Sequence, residues 1–186
     1  MYEKAIADYQ PMDELEVQDK KIILDYIKQF SHNVLTRENK VAHLTSSGFI
    51  LNEKKNKVLM VYHNLYQSWA WTGGHADGEA NLLAVAIKEA REETGIRTVK
   101  PLSQSIQSLD ILPVWRHKKK DLFVSSHLHL NVSYLLMADE DEELKVKNDE
   151  NSAVQWIEIS QLEAYCTETP LIPIYKKLIK AAQINT

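Results

Sequence analysis

Residues 74–96 read Gly-His-Ala-Asp-Gly-Glu-Ala-Asn-Leu-Leu-Ala-Val-Ala-Ile-Lys-Glu-Ala-Arg-Glu-Glu-Thr-Gly-Ile, and the second half of that stretch carries the decisive pattern. From about Asn81 to Thr94 the residues favour a helix, and Gly95 stands where a glycine commonly ends one. Glu89, Glu92 and Glu93 are spaced i, i+3 and i+4, so at about 100° per residue they share one arc of the helix. Leu83, Ile87 and Ala90 fall on the opposite side and are expected to pack on a sheet. Three carboxylates so placed repel one another, and they sit at the end that the helix dipole makes negative. A cation relieves both penalties, and hard oxygen donors select Mg²⁺, Mn²⁺ or Ca²⁺. Taken alone, the pattern describes a solvated acidic face paired with Lys88 and Arg91, because charge runs are usually exposed faces. The flanking sequence has to choose.

Upstream, residues 44–51 and 58–63 are short β-rich runs separated by the polar Asn52-Glu53-Lys54-Lys55-Asn56-Lys57, as in two antiparallel strands joined by a turn. Downstream come strand runs at 107–115 and 122–137 joined by residues 117–121, an acidic loop over 139–150, and a short strand at 154–159. The first forty residues are helical in pattern. Ile22, Ile23, Tyr26, Ile27 and Phe30 recur at three- and four-residue intervals, with Asp13 or Asp19 placed to cap. From Ser160 the chain is helical again, interrupted by Pro170 and Pro173. Strands on both sides of one internal helix, with helices at the ends, predict a mixed α/β (α+β) domain. One domain is expected over 1–186: an N-terminal helical extension (1–40), a core (41–160) and C-terminal helices (161–186). The extension either packs on the core or serves substrate specificity or dimerisation, so a homodimer is compatible with the sequence.

Composition narrows the partners. The 186 residues are 44% hydrophobic and 26% charged, with 22 basic and 26 acidic side chains and a net charge of −4. Affinity for long nucleic acid rests on a basic excess that this chain lacks. A small phosphorylated ligand remains open, because a bound divalent cation supplies positive charge locally. The single cysteine, Cys166, excludes an intramolecular disulfide. The N-terminus has no signal-peptide pattern, and no window approaches the ~20 apolar residues that span a bilayer. A cytoplasmic protein without a membrane partner is the expectation.

The stretch as a whole resembles the Nudix box, G-x5-E-x7-R-E-U-x-E-E-x-G-U with U aliphatic. Gly74, Glu89, Glu92, Glu93, Gly95 and Ile96 fall in register over its full 23 residues, and with the flanking strands the resemblance covers roughly residues 43–160. It implies a Nudix-type α/β/α sandwich with a mixed central sheet. It also implies a hydrolase that uses Mg²⁺, or Mn²⁺ in its place, to cleave a phosphoanhydride bond in a small, nucleoside diphosphate-linked or related substrate, with water as nucleophile. Carried over by position, Gly74, Glu89, Glu92 and Glu93 are the metal residues. In that family a carboxylate before the closing strand often joins the metals or acts as base. Asp149 and Glu150 are the candidates here and Glu150 is preferred, which makes Glu92, Glu93 and Glu150 the catalytic set. Three positions depart from the pattern. Ala80 stands where the first box glutamate belongs, and Glu79, one residue early, is expected to take its role. Lys88 replaces the arginine and loses its planar fork. Ala90 is a small occupant of the aliphatic slot.

Histidines supply the remaining candidates. His75 adjoins the box glycine and is expected in the cleft. Along 122–137 the residues alternate, with Leu128, Leu130, Val132 and Tyr134 on one face and Ser125, His127, His129, Asn131 and Ser133 on the other. That polar face is either wet or lines the cleft, where His127 and His129 would bond phosphate or ribose. With His75 they form the substrate-binding set. One of Trp69 and Trp71 belongs to the core, His63 is structural, and the acidic run 139–143 is solvated. Two other readings compete. Residues 71–75 with Gly78-Glu79 are similar to isopentenyl-diphosphate isomerases, but the cysteine those enzymes carry just before the Gly-His pair is missing and Cys166 lies far downstream. A non-catalytic nucleotide-sensing domain has no need of the retained glutamates.

Overall fold

The fold is arranged around Ala42–Leu51 (β1), ten residues buried end to end. The computed structural model describes residues 2–119, 121–147 and 150–184. Helices α1 (Tyr2–Asp8) and α2 (Glu14–Gln29) precede β1, and β2 (Lys57–His63), β3 (Ser68–Ala70), β4 (Thr72–His75) and α3 (Leu82–Thr94) follow it. Next come β5 (Lys100–Pro101), β6 (Ser108–Val114), β7 (His117–Lys119), β8 (Leu122–Val124), β9 (His127–Met137) and β10 (Asn151–Glu158). The chain then runs through α4 (Leu162–Tyr165) and α5 (Ile172–Ile184).

One edge of β1 pairs in parallel with β9 along its whole length, from Ala42 opposite Leu128 to Leu51 opposite Met137. The other edge is shared. Thr45–Gly48 pair antiparallel with β4, and Ile50 and Leu51 pair antiparallel with β2. The sheet is therefore mixed and runs β10-β2-β1-β9-β5, with β3 on β2, β4 on β1 and β6 on β9.

Alternation along β1 feeds two cores. Leu44 and Ile50 join Leu130, Val132, Leu82, Ala86, Ile23 and Ile27 under α1, α2 and α3. Phe49 and Leu51 join Leu135, Trp71, Tyr175 and Leu178 under α5. Full burial of each large apolar side chain stabilises by about 1.5–3 kcal/mol. Trp71 is the core tryptophan, while Trp69 is half-buried and meets Tyr62 and Tyr165 edge-on.

Several expectations need correction. Helix does not continue through the first forty residues, because α2 stops at Gln29 and a series of turns leads to β1. Asp13 caps α2 by accepting the Glu16 amide. Asp19 instead accepts the Ile111 amide at 2.9 Å, as Glu16 accepts that of Leu109 at 3.3 Å. Carboxylates from α2 thus satisfy N–H groups on the free edge of β6. Residues 122–137 are not one strand: β8 pairs with β7 in a separate hairpin, and the chain breaks at Ser125 and Ser126 before β9. The acidic run is not simply solvated. Glu140 is half-buried and meets Lys57 and Asn52, and Glu142 accepts the Arg97 and Thr98 amides at 2.8 and 3.0 Å. Among the described residues, no helix is long and apolar enough to cross a membrane.

Candidate active site

Asn81 opens α3 by accepting the Ala84 amide, and Gly95 closes it in the left-handed region at φ 75°, where a side chain is strained. The buried residues of α3 are Leu82, Val85, Ala86, Ala90, Glu93 and Thr94. Leu83 and Ile87, expected on the sheet side, are only half-buried. The inner face is therefore turned by about one residue, and it takes Glu93 with it.

That rotation gives the three glutamates different surroundings. Glu93 is 5% exposed and sits behind β4. The Gly73 amide donates to its Oε1 and the Asn151 side-chain amide to its Oε2, both at 2.9 Å. Burial pushes its carboxyl up to about 7 against these two donors, with the charges of Glu89 and Glu150 adding to the rise. Glu89 lies in a notch made by a missing side chain. A Cβ on Gly74 would come within 2.5 Å of its carboxylate carbon. Burial raises the Glu89 carboxyl too, and the charges of Glu92 and Glu150 add to the rise while Lys88 and Lys147 oppose it. Glu92 is exposed. Lys88 reaches both Glu89 and Glu92 at 3.6 Å, and Lys147 lies 3.9 Å from Glu92 and 3.0 Å from Glu150.

Lys88 thus links Glu89 to Glu92 and Lys147 links Glu92 to Glu150, with Glu93 anchored behind them. The Gly74 notch, which a Cβ would fill, lets a carboxylate lie directly against the backbone. All-oxygen donors of this kind suit Mg²⁺ or Mn²⁺. Asp149 lies outside the described residues.

The front loop departs from expectation at Glu79. This residue is exposed and accepts the Asn81 amide at 2.7 Å, so it caps the N-terminal end of α3. Ten residues separate Leu82 from Glu92, which at 1.5 Å rise is about 15 Å of helix. Asp77 accepts a two-pronged bond from Arg37 at 2.8 and 2.7 Å, and the Leu35 carbonyl accepts the Gly78 amide. The segment after α2 therefore holds the loop in place.

Successive strand residues face opposite ways: Gly74 faces Glu89, and His75 faces the other side of the sheet. There His75, His127 and His129 come together with His43 from β1, a residue the sequence reading passed over. The four rings offer ligand nitrogens within 4.8 Å of one another. Burial and the neighbouring imidazoles push His75 down to about 4 and His129 down to about 2, and burial lowers His43 as well. Further along this face Thr45, Ser47, Asn131 and Ser133 are buried. Thr45 and Ser47 donate to the Asn131 side-chain oxygen, and Asn131 donates to Ser133. His63, at the end of β2, accepts the Leu65 amide and packs its ring on Tyr66. Cys166 is buried in the cluster under α5, and no thiol stands in the segment before His75 where the isomerases carry theirs.

Comparisons with known proteins agree with the fold. The NUDIX domain matches residues 42–181. A Xenopus laevis protein, nucleoside diphosphate-linked moiety X motif 6, is 30% identical over 128 residues, which is 68% of this chain and 54% of that protein. The chain therefore spans about half the length of this relative. A Nudix-family hydrolase from Clostridium perfringens superposes with a TM-score of 0.52 at 22% identity, covering 77% of this chain and 98% of the other. The Escherichia coli dihydroneopterin triphosphate pyrophosphohydrolase superposes with a TM-score of 0.56 at 15% identity, covering 77% and 96%. A curled mixed sheet with the helix of residues 82–94 against β1 and β4, together with a domain match over three quarters of the chain, places this protein in the Nudix hydrolase family.

Proposed function

We propose that this protein is a divalent-cation-dependent pyrophosphohydrolase that cleaves a phosphoanhydride bond in a small nucleoside diphosphate-linked substrate. The observation that carries the reading is the seat of Glu89 against Gly74, with Glu92 and Glu150 brought alongside through Lys88 and Lys147. Glu89, Glu92 and the Gly74 carbonyl are the groups that would hold Mg²⁺, with Mn²⁺ as the substitute. Bound there, the cation supplies Lewis-acid polarisation of a phosphoryl oxygen and a lowered pKa for attacking water.

The chain's own groups divide the remaining work. Glu93 braces: its two oxygens tie α3 to Gly73 of β4 and to Asn151 of β10, fixing the distance between helix and loop. Glu150 stands at the start of β10, half-buried, and takes the proton from water as general base. Lys147, held between Glu150 and Glu92, is placed to meet a phosphate oxygen once substrate displaces one carboxylate contact. Loops rather than the fold choose the leaving group.

The test is phosphate or nucleotide release, with Mg²⁺ and then Mn²⁺, over ADP-ribose, nucleotide sugars, dinucleoside polyphosphates and nucleoside triphosphates. The proposal requires turnover of at least one class that stops on chelation. Turnover that persists at an undiminished rate without a divalent cation contradicts it.

A further inference from the structure

In five of its six ring pairs, the histidine quartet on the far side of β4 has the spacing of imidazoles that share one metal ion. Ring centroids lie 5.0 Å apart for His43 and His75, 5.0 Å for His43 and His127, and 5.3 Å for His43 and His129. They lie 4.9 Å apart for His75 and His129 and 5.1 Å for His127 and His129. Four imidazoles bound to one tetrahedral ion at about 2.05 Å place their ring centres about 5.2 Å apart and their nitrogens about 3.3 Å apart. The Nε2 atoms of His127 and His129 are 3.3 Å apart.

Proton placement fits the same centre. His43 Nδ1 lies 3.0 Å from the Asn39 carbonyl, and His127 Nδ1 lies 2.9 Å from the Ser125 carbonyl. A carbonyl only accepts, so each Nδ1 carries the proton and each Nε2 keeps a lone pair. Ligating histidines are commonly oriented in this way. His43 is 4% exposed, and its Nε2 has no hydrogen-bond partner in the structure. A buried lone pair left unpartnered is penalised unless something meets it.

We infer that His43, His75, His127 and His129 bind one late first-row divalent cation, with Zn²⁺ as the type. The site is separate from the carboxylate group of α3 and does not depend on the hydrolase reading. Imidazole donors select Zn²⁺, Co²⁺, Ni²⁺ or Cu²⁺ over Mg²⁺, so the two sites sort their metals by ligand chemistry. Four protein ligands leave no open position, which makes the centre structural. It staples the N-terminal half of β1 to β4 and β9, where polar Thr45, Ser47, Asn131 and Ser133 replace apolar packing. It also fixes the strand that carries Gly74.

The experiment is metal analysis of the full chain after chelation, reloading with ZnCl₂ in excess Mg²⁺, and dialysis, together with the visible spectrum of the Co²⁺-loaded protein. The inference requires one Zn²⁺ per chain, a tetrahedral Co²⁺ spectrum and a higher melting temperature. Binding should weaken at least ~10-fold in His43→Asn. His127→Asn, at the less buried rim, gives the same comparison should the His43 variant fail to fold. Glu92→Gln should keep the Zn²⁺. Substoichiometric Zn²⁺ in the folded protein, or Zn²⁺ held by His127→Asn and lost from Glu92→Gln, overturns it.

Discussion

Replacing Gly74 by alanine tests the seat of Glu89 directly. The added methyl would lie 2.5 Å from the Glu89 carboxylate carbon and 2.8 Å from its Oε1, whereas carbon atoms in contact sit about 3.5–4.0 Å apart. The carboxylate must retreat by about 1 Å. The obstructing atoms are the end of a flexible side chain and Gly74 is not in the left-handed region, so the fold absorbs the change for about 1 kcal/mol. Catalytic geometry is less forgiving: a 1 Å misplacement costs about 100-fold in rate, or about 2.7 kcal/mol of barrier. The assay is kcat for Mg²⁺-dependent phosphate release, measured beside a thermal melt. Gly73→Ala is the contrast. Its methyl would come within 2.5 Å of the Ser47 hydroxyl, 3.0 Å of the Ser46 carbonyl and 3.1 Å of Ser47 Cα, so it should lose more stability than Gly74→Ala. Unchanged kcat in a folded Gly74→Ala variant would refute the role given to Glu89.

Three further perturbations probe the frame. Lys177 lies 2.8 Å from the fully buried Glu16 and 3.2 Å from Asp110, so Lys177→Met strands two buried carboxylates and should cost about 3–5 kcal/mol in urea unfolding. Asn81→Ala removes the α3 cap and should cost about 1 kcal/mol by the same measurement. The Thr98 hydroxyl, with the Thr98 and Arg97 amides, holds Glu142 down to about 2, below its ordinary 4.5. A carboxyl more acidic in the folded state contributes stability that is full above pH 4.5 and lost as pH falls toward 2. Glu142→Gln should therefore flatten stability against pH over that window, and an unchanged pH dependence would exclude the contact.

Much of the fold was legible locally. The glutamate spacing, Gly95 and the alternating strand runs place α3 between β2 and β6 without long-range information, and Asp13 is one of the two residues, with Asp19, that the pattern offers to cap α2. The parallel register of β1 on β9 is not local, and it is what sets His43 beside His129. A clue existed: His43, Thr45 and Ser47 alternate at the same period as His129, Asn131 and Ser133, as two neighbouring strands sharing one polar face would. Polarity alone leaves open whether that face is wet or lines the cleft. Thr45, Ser47, Asn131 and Ser133 on it are buried, and their hydroxyls and amides satisfy one another. The i, i+3 and i+4 spacing groups Glu93 with Glu89 and Glu92 on one arc. Only the seating of Leu82, Ala86 and Ala90 on the sheet reveals that one member of the trio points inward. Resemblance to the box points Glu79 to the site, while its position two residues before Asn81 suits it to capping.

The central claim is that the carboxylates gathered at Gly74 carry out cation-dependent hydrolysis. The most direct measurement is Mg²⁺-dependent turnover of the best substrate by wild type and Glu92→Gln, with folding checked by thermal melt. Glu92 is exposed, so the variant should fold as wild type does, while turnover falls by at least ~100-fold. Equal turnover in the folded variant would contradict the account.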